Sequence, residues 1–151
     1  MRTWILFLVL TACSFVHGEE TVAAFKTIDL EIQQRYLKDV KPLLERSCLN
    51  CHGNQEHFPW YYSIPGPRQL IDRDRALAKK NIDLSHFPFK GKAPQDELLD
   101  AIRDDIESND MPPFRYRILH SDSKLTEDEK KVIFNWINAA KKIRSEANSV
   151  N

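Results

Sequence analysis

Apolar residues recur along this chain at intervals of three and four, and no stretch of any length alternates strictly, so the pattern predicts helices and no strand. Tyr36, Val40, Leu43, Leu44 and Ser47 share one helical face, on which Pro42 is tolerable only near the first turn. A second helix is expected from about Pro67 to Lys80, opened by proline where its missing N–H costs nothing. The third starts near Pro94, buries Leu98, Leu99, Ile102 and Ile106, and stops before Met111. The last is the best marked. Thr126 and Glu129 form a capping box, and Val132, Ile133, Trp136, Ile137, Ala140 and Ile143 make a continuous apolar face up to a basic last turn. Residues 54–67, with three prolines and Phe58, Trp60, Tyr61 and Tyr62, read as an aromatic-rich loop, and residues 81–93 as irregular chain. The expected fold is all-α, a small domain of about four helices.

A chain of 151 residues has room for one domain with a modest core. Its first residues change the picture. Met1-Arg2 precedes an apolar run from Trp4 to Val16, too short to span a bilayer and flanked as a secretory signal is. Two exits stay open. Removal of residues 1–18 would leave Glu19 first, whereas Leu10-Thr11-Ala12-Cys13 has the form of a lipobox, in which residues 1–12 are lost and a lipidated Cys13 is the membrane anchor. Both put the protein in the periplasmic space, soluble or lipid-anchored, with a polar tether over 19–35, a domain over 36–145 and a tail over 146–151. The formal charge is zero, which argues against nucleic acid as a partner. Charge is uneven nonetheless: Arg68 to Lys80 holds five basic and two acidic residues, and Asp96 to Asp110 seven acidic and one basic. Solvated helix faces account for this more simply than a docking patch does.

The chemistry is concentrated in Cys48-Leu49-Asn50-Cys51-His52. Two thiols three residues apart suit thioether bonds to the two vinyl groups of a haem, and the histidine after the second is placed to offer its imidazole to the iron. The alternatives are a disulfide, half of a zinc site or a thiol-redox pair. A zinc site needs a second pair of ligands, and His57, His86 and His120 are scattered; a thioredoxin-like use needs strands alternating with helices. For the sixth iron position, Met111 is the one thioether outside the signal segment, braced by Pro112-Pro113. A thioether opposite an imidazole favours ferrous iron and leaves no open site, which suits electron transfer. His120 competes for that position, or bonds a haem propionate, or lies on the surface. Trp60, Tyr61, Tyr62 and Tyr116 are expected in the pocket wall, and Arg115 and Arg117 suit propionate carboxylates. Gly53 is expected to take the backbone angles that stop the first helix.

The ordered set Leu44-Glu45-Arg46-Ser47-Cys48-Leu49-Asn50-Cys51-His52, Pro59-Trp60-Tyr61, Met111-Pro112-Pro113 with Tyr116 and His120, Leu125-Thr126 and Trp136 resembles the small bacterial haem-binding domains related to monohaem class I cytochrome c. The resemblance runs from about Val40 to Ile143. It implies one haem c attached at Cys48 and Cys51, His52 as proximal and Met111 as distal ligand, and a first and a last helix that cross, giving Trp136 a packing role. Residues 67–93 match little and inherit no role.

Three functions compete. The leading one is a monohaem electron carrier or electron-entry domain that exchanges single electrons with redox partner proteins. The second is a peroxidase-like or gas- or redox-sensing haem protein with a labile sixth ligand, which needs His57 or His120 in the pocket. The third, a thiol-disulfide oxidoreductase, needs both cysteines free.

Overall fold

A computed structural model describes residues 29–54, 58–87 and 96–149 of the chain. The two signal cleavage sites, Cys13 and His57 lie outside the described residues.

The first helix, α1, runs over residues 29–52 and contains two wide π turns, Tyr36–Val40 and Glu45–Leu49. The reason lies in its apolar spacing. Tyr36, Val40 and Leu44, all buried, recur at strict intervals of four, and four residues overshoot an α-helical turn by about 40°. A wider turn brings each of them back to the same face. The first π turn also accommodates Pro42, because the Lys41 N–H reaches back to the Tyr36 carbonyl just before the residue that has no N–H to give. α1 begins seven residues earlier than the sequence pattern predicts. Gln33 to Asp29 (2.9 Å) and Arg35 to Glu31 (2.8 Å) support the extra turns at one-turn spacing, and Ile32 packs against the core.

Three further helices follow the pattern closely: α2 over Pro67–Asn81, α3 over Asp96–Glu107 and, after a short helix α4 over Phe114–Leu119, α5 over Glu127–Ser149. Trp60–Ser63 form one 3-10 turn inside the aromatic loop. Gly66, at φ 96°, occupies a backbone region that favours glycine and starts α2, whose Leu70 N–H bonds the Gly66 carbonyl at 3.0 Å. Asn109, at φ 59°, closes α3 in the left-handed region. The capping box of α5 is formed as read: the Thr126 N–H donates to Glu129 Oε2 at 2.8 Å and the Glu129 N–H to Thr126 Oγ1 at 3.3 Å. Val132 departs from expectation. It is exposed, because the buried stripe of α5 is Ile133, Trp136, Ile137 and Ala140. The basic residues expected in the last turn lie mid-helix, since α5 continues to Ser149.

The fold is all-α, and no strand occurs among the described residues. α1, α3 and α5 enclose one core of Tyr36, Val40, Leu44, Leu99, Ile102, Ile106, Ile133, Trp136 and Ile137, closed by Leu84 and Leu125 from the connections. α1 and α5 meet at Trp136, whose ring packs on Tyr36 (5.3 Å between centroids) and on Phe87 (5.7 Å), while its indole N–H donates to the Ile32 carbonyl. Trp136 thus has the packing role expected of it. α3 and α5 are joined by polar rungs: Arg144 with Asp96, Lys141 with Asp100, Arg103 with Asn138. No helix of the described residues is long and apolar enough to cross a membrane.

Candidate functional site

The cysteine-histidine motif occupies the last turns of α1. Cys48 and Cys51 are not joined by a disulfide. Burial pushes the Cys48 thiol up to about 12, with the Asp105 carboxylate adding to the effect. Burial also raises Cys51, where Arg75 of α2 pulls the other way. Both thiols therefore stay protonated at neutral pH. Among the described residues no three His, Cys, Asp or Glu side chains converge as a metal ion would require.

His52 is the most tightly fixed residue of the motif. It is buried, and its Nδ1 lies 2.8 Å from the Ile82 carbonyl. A carbonyl only accepts, so Nδ1 carries the proton and Nε2 keeps its lone pair. The His52 carbonyl in turn accepts the Leu84 N–H at 2.8 Å. Residues 82–84, just beyond the end of α2, thus hold both the ring and the backbone. Gly53 stops the helix at φ −113°, which any residue adopts, so the expected conformational role is corrected. Its glycine identity is steric: a Cβ there would lie 2.8 Å from the Leu49 carbonyl oxygen, the acceptor of the Gly53 N–H.

A second group of side chains is gathered beside the motif. Asn50, between the two cysteines, donates to the Tyr116 hydroxyl. The Tyr116 ring stacks on His120 at 4.1 Å with 10° between planes. His120 Nδ1 lies 3.1 Å from the Tyr116 carbonyl and therefore carries the proton, which leaves Nε2 to accept from the Tyr61 hydroxyl at 3.2 Å. Both imidazole nitrogens of His120 are thus committed within the protein. Burial raises both the Tyr61 and the Tyr116 phenols, and the Asn50 hydrogen bond partly offsets this at Tyr116. Trp60 meets Tyr61 edge-on at 5.7 Å and is 80 % exposed. Tyr62 turns away to Asp72 and stacks on Phe58, and Arg115 pairs with Asp74. The Arg117 Nε and the Arg75 Nε are buried without partners among the described residues. Met111 is half-buried between α3 and α4 and takes no part in the Tyr61–His120–Tyr116 network.

The structure therefore brings Cys48, Cys51, His52, Tyr61, Tyr116 and His120 into one neighbourhood. Sequence reasoning missed Asn50, Ile82, Asp105 and Arg75. Ile82 acts through its carbonyl, which no side-chain pattern announces. Burial raises the Asp105 carboxyl, and His52 partly offsets it; in the sequence Asp105 is one acid in a run of seven.

The donor set fits a haem. A buried imidazole with Nδ1–H anchored and Nε2 free is the form in which histidine binds iron, and the backbone acceptor fixes its tautomer and direction. The two thiols, three residues apart on the same turns, supply the thioether sulfurs.

Comparison with known proteins agrees with this chemistry. A family model described as a haem-binding domain matches residues 7–139. Among curated proteins, one named Cytochrome c peroxidase Ccp from Escherichia coli (strain K12) is 34% identical over 98 residues, which cover 63% of this chain and 21% of that protein. The chain thus corresponds to about a fifth of the length of that relative. No solved structure matches.

Proposed function

Because the chain belongs to the family of haem-binding domains, we propose that it is a monohaem c-type electron carrier of the periplasmic space, with haem linked through Cys48 and Cys51 and iron bound by His52 and Met111. The observation that carries the reading is the His52 ring, buried and held by the Ile82 carbonyl with Nε2 free. When bound, the group supplies a reversible one-electron change at iron.

The chain's own residues do the rest. The Ile82 carbonyl polarises the Nδ1–H bond and makes Nε2 the more basic donor, which would favour ferric iron, and Met111, as the thioether that would also hold the iron, would favour the ferrous form. Tyr61 and Tyr116 hold His120 by both nitrogens, which supports Met111 over His120 as the sixth ligand. The buried setting of His52 and the half-buried one of Cys48 would limit the access of water to the iron-binding imidazole.

A labile sixth site serving peroxide is the second reading, and the relative's name favours it; there Met111 would be displaced or unbound. Expression with haem-maturation machinery tests both. Thioether attachment adds one haem to the chain mass, survives acid-acetone extraction, and under the main reading gives a low-spin spectrum with the weak methionine-to-ferric-iron charge-transfer band. A high-spin spectrum moves the assignment to the peroxide reading, and a chain with no covalent haem sinks both.

A further inference from the structure

Basic residues are concentrated on two helices that touch the motif turn. α2 and α4 together hold seven basic residues and two acidic ones. Both acids are engaged. Asp72 accepts from the Tyr62 hydroxyl at 2.6 Å and faces Arg68 at 3.8 Å; Asp74 lies 3.5 Å from Arg73 and 3.4 Å from Arg115. The Asp74–Arg115 pair also links α4 to α2. Arg68, Arg73 and Arg115 keep 63%, 63% and 58% of their side-chain surface in solvent.

The acidic run of the chain is placed differently. Asp96 and Asp100 of α3 are taken up by Arg144 and Lys141 of α5 and Glu107 by Arg103 of α3 itself, while Asp105 lies within electrostatic reach of Cys48. Among the described residues the basic run is offset by its own Asp72 and Asp74, and Arg68, Arg73 and Arg115 remain largely in solvent.

Cys51 lies beside these helices. The turn Asn50–His52 packs on α2, Cys51 lies within electrostatic reach of Arg75 and of Asp74, and Asn50 bonds Tyr116 of α4. Trp60 and Phe114, 80% and 71% exposed, add apolar surface beside the same two helices. Surface charges act over about a Debye length, ~8 Å at physiological salt, so the charges that govern encounter with a redox centre are those nearest its edge.

We propose that the α2–α4 face is the docking surface for an acidic redox protein, one whose own electron-transfer edge is ringed by carboxylates. This rests on the haem reading above. Opposite charge on the two edges raises the encounter rate and sets orientation, and the exposed Trp60 and Phe114 supply the small apolar contact of a short-lived complex.

The test uses the haem-loaded chain, reduced, and two inorganic probes of opposite charge. One electron passes from ferrous protein to ferricyanide, giving ferrocyanide, or to tris(phenanthroline)cobalt(III), giving the cobalt(II) complex; the protein becomes ferric in each case. The wild type is expected to favour the anionic probe at low ionic strength and to lose that preference with salt. The pair Arg68→Glu and Arg73→Glu should lower the ferricyanide-to-cobalt rate ratio by roughly tenfold or more. The pair Lys131→Glu and Lys142→Glu on α5 changes net charge equally at exposed sites and should leave the ratio nearly unchanged. Equal shifts from both pairs, or none from the first, overturn the docking inference while leaving the haem reading intact. Absence of thioether-linked haem overturns both.

Discussion

At the scale of single residues, the site is a contest between donors for one iron position, and hydrogen bonding decides who is available. His52 and His120 are both half-saturated by backbone carbonyls, but only His120 also has its second nitrogen taken, by the Tyr61 hydroxyl. Met111 has no such commitment. Replacing it is therefore expected to leave the sixth position open rather than filled by His120: Met111→Ala should lower the reduction potential by on the order of 0.1 V, a fraction of the ~0.8 V that axial ligation spans, and should let ferrous protein bind carbon monoxide. Redox titration and a carbon monoxide difference spectrum check this, and an unchanged potential without ligand uptake excludes Met111 as ligand. The motif residues were legible in the sequence because their chemistry lies in side chains at fixed spacing. The clamp on His52 was not, because Ile82 and Leu84 act through backbone groups thirty residues away.

At the scale of elements, the start of α5 does two jobs through one carboxylate. Glu129 caps its own helix through Thr126 and reaches across to Arg46 of α1 at 2.8 Å, two residues before Cys48. Its carboxyl is held below the usual carboxylate range, first by the Thr126 backbone N–H and then by Arg46. A depressed folded value means that the contact's stability is complete above the ordinary pKa of ~4.3 and is lost as the pH falls through the lower folded one. Glu129→Gln should thus destabilise the protein by about 1 kcal/mol at pH 7 and by progressively less toward pH 3. Denaturant melts across that range check it; curves for the two proteins that stay parallel would assign the effect to shape instead of charge. The capping box itself was readable as Thr126 and Glu129 three apart. Arg46 was not readable as its partner, since nothing local links positions 83 residues apart. α4 escaped for a related reason: it is six residues long, less than two turns, and its Phe114, Ile118 and Leu119 are all exposed, so its short apolar pattern marks no core face.

At the scale of the molecule, burial is divided unequally among the helices, and the division predicts what the cofactor holds together. α1, α3 and α5 share the core, whereas α2 buries only Ala78 and α4 nothing. What fastens α2 and α4 is their contact with the motif turn, the polar bonds of Asn50, Tyr116, Tyr61 and His120, and the Asp74–Arg115 pair, each weak where exposed to water. A haem bonded to Cys51 would give these elements, whose Leu70, Leu77, Phe114, Ile118 and Leu119 are exposed, a large apolar body to pack on. Removing it should therefore not unfold the chain uniformly. In the double variant Cys48→Ala with Cys51→Ala, amide exchange is expected to stay slow in α1, α3 and α5, where protection reflects the shared core, and to become fast in Trp60–Ser63, α2 and α4. The haem-loaded wild type should protect all of them. Loss of protection throughout the chain would mean that the three-helix core cannot stand alone and that the haem is part of it. Full protection of α2 and α4 in the variant would mean that their polar bonds suffice and that the cofactor is a passenger on a finished fold.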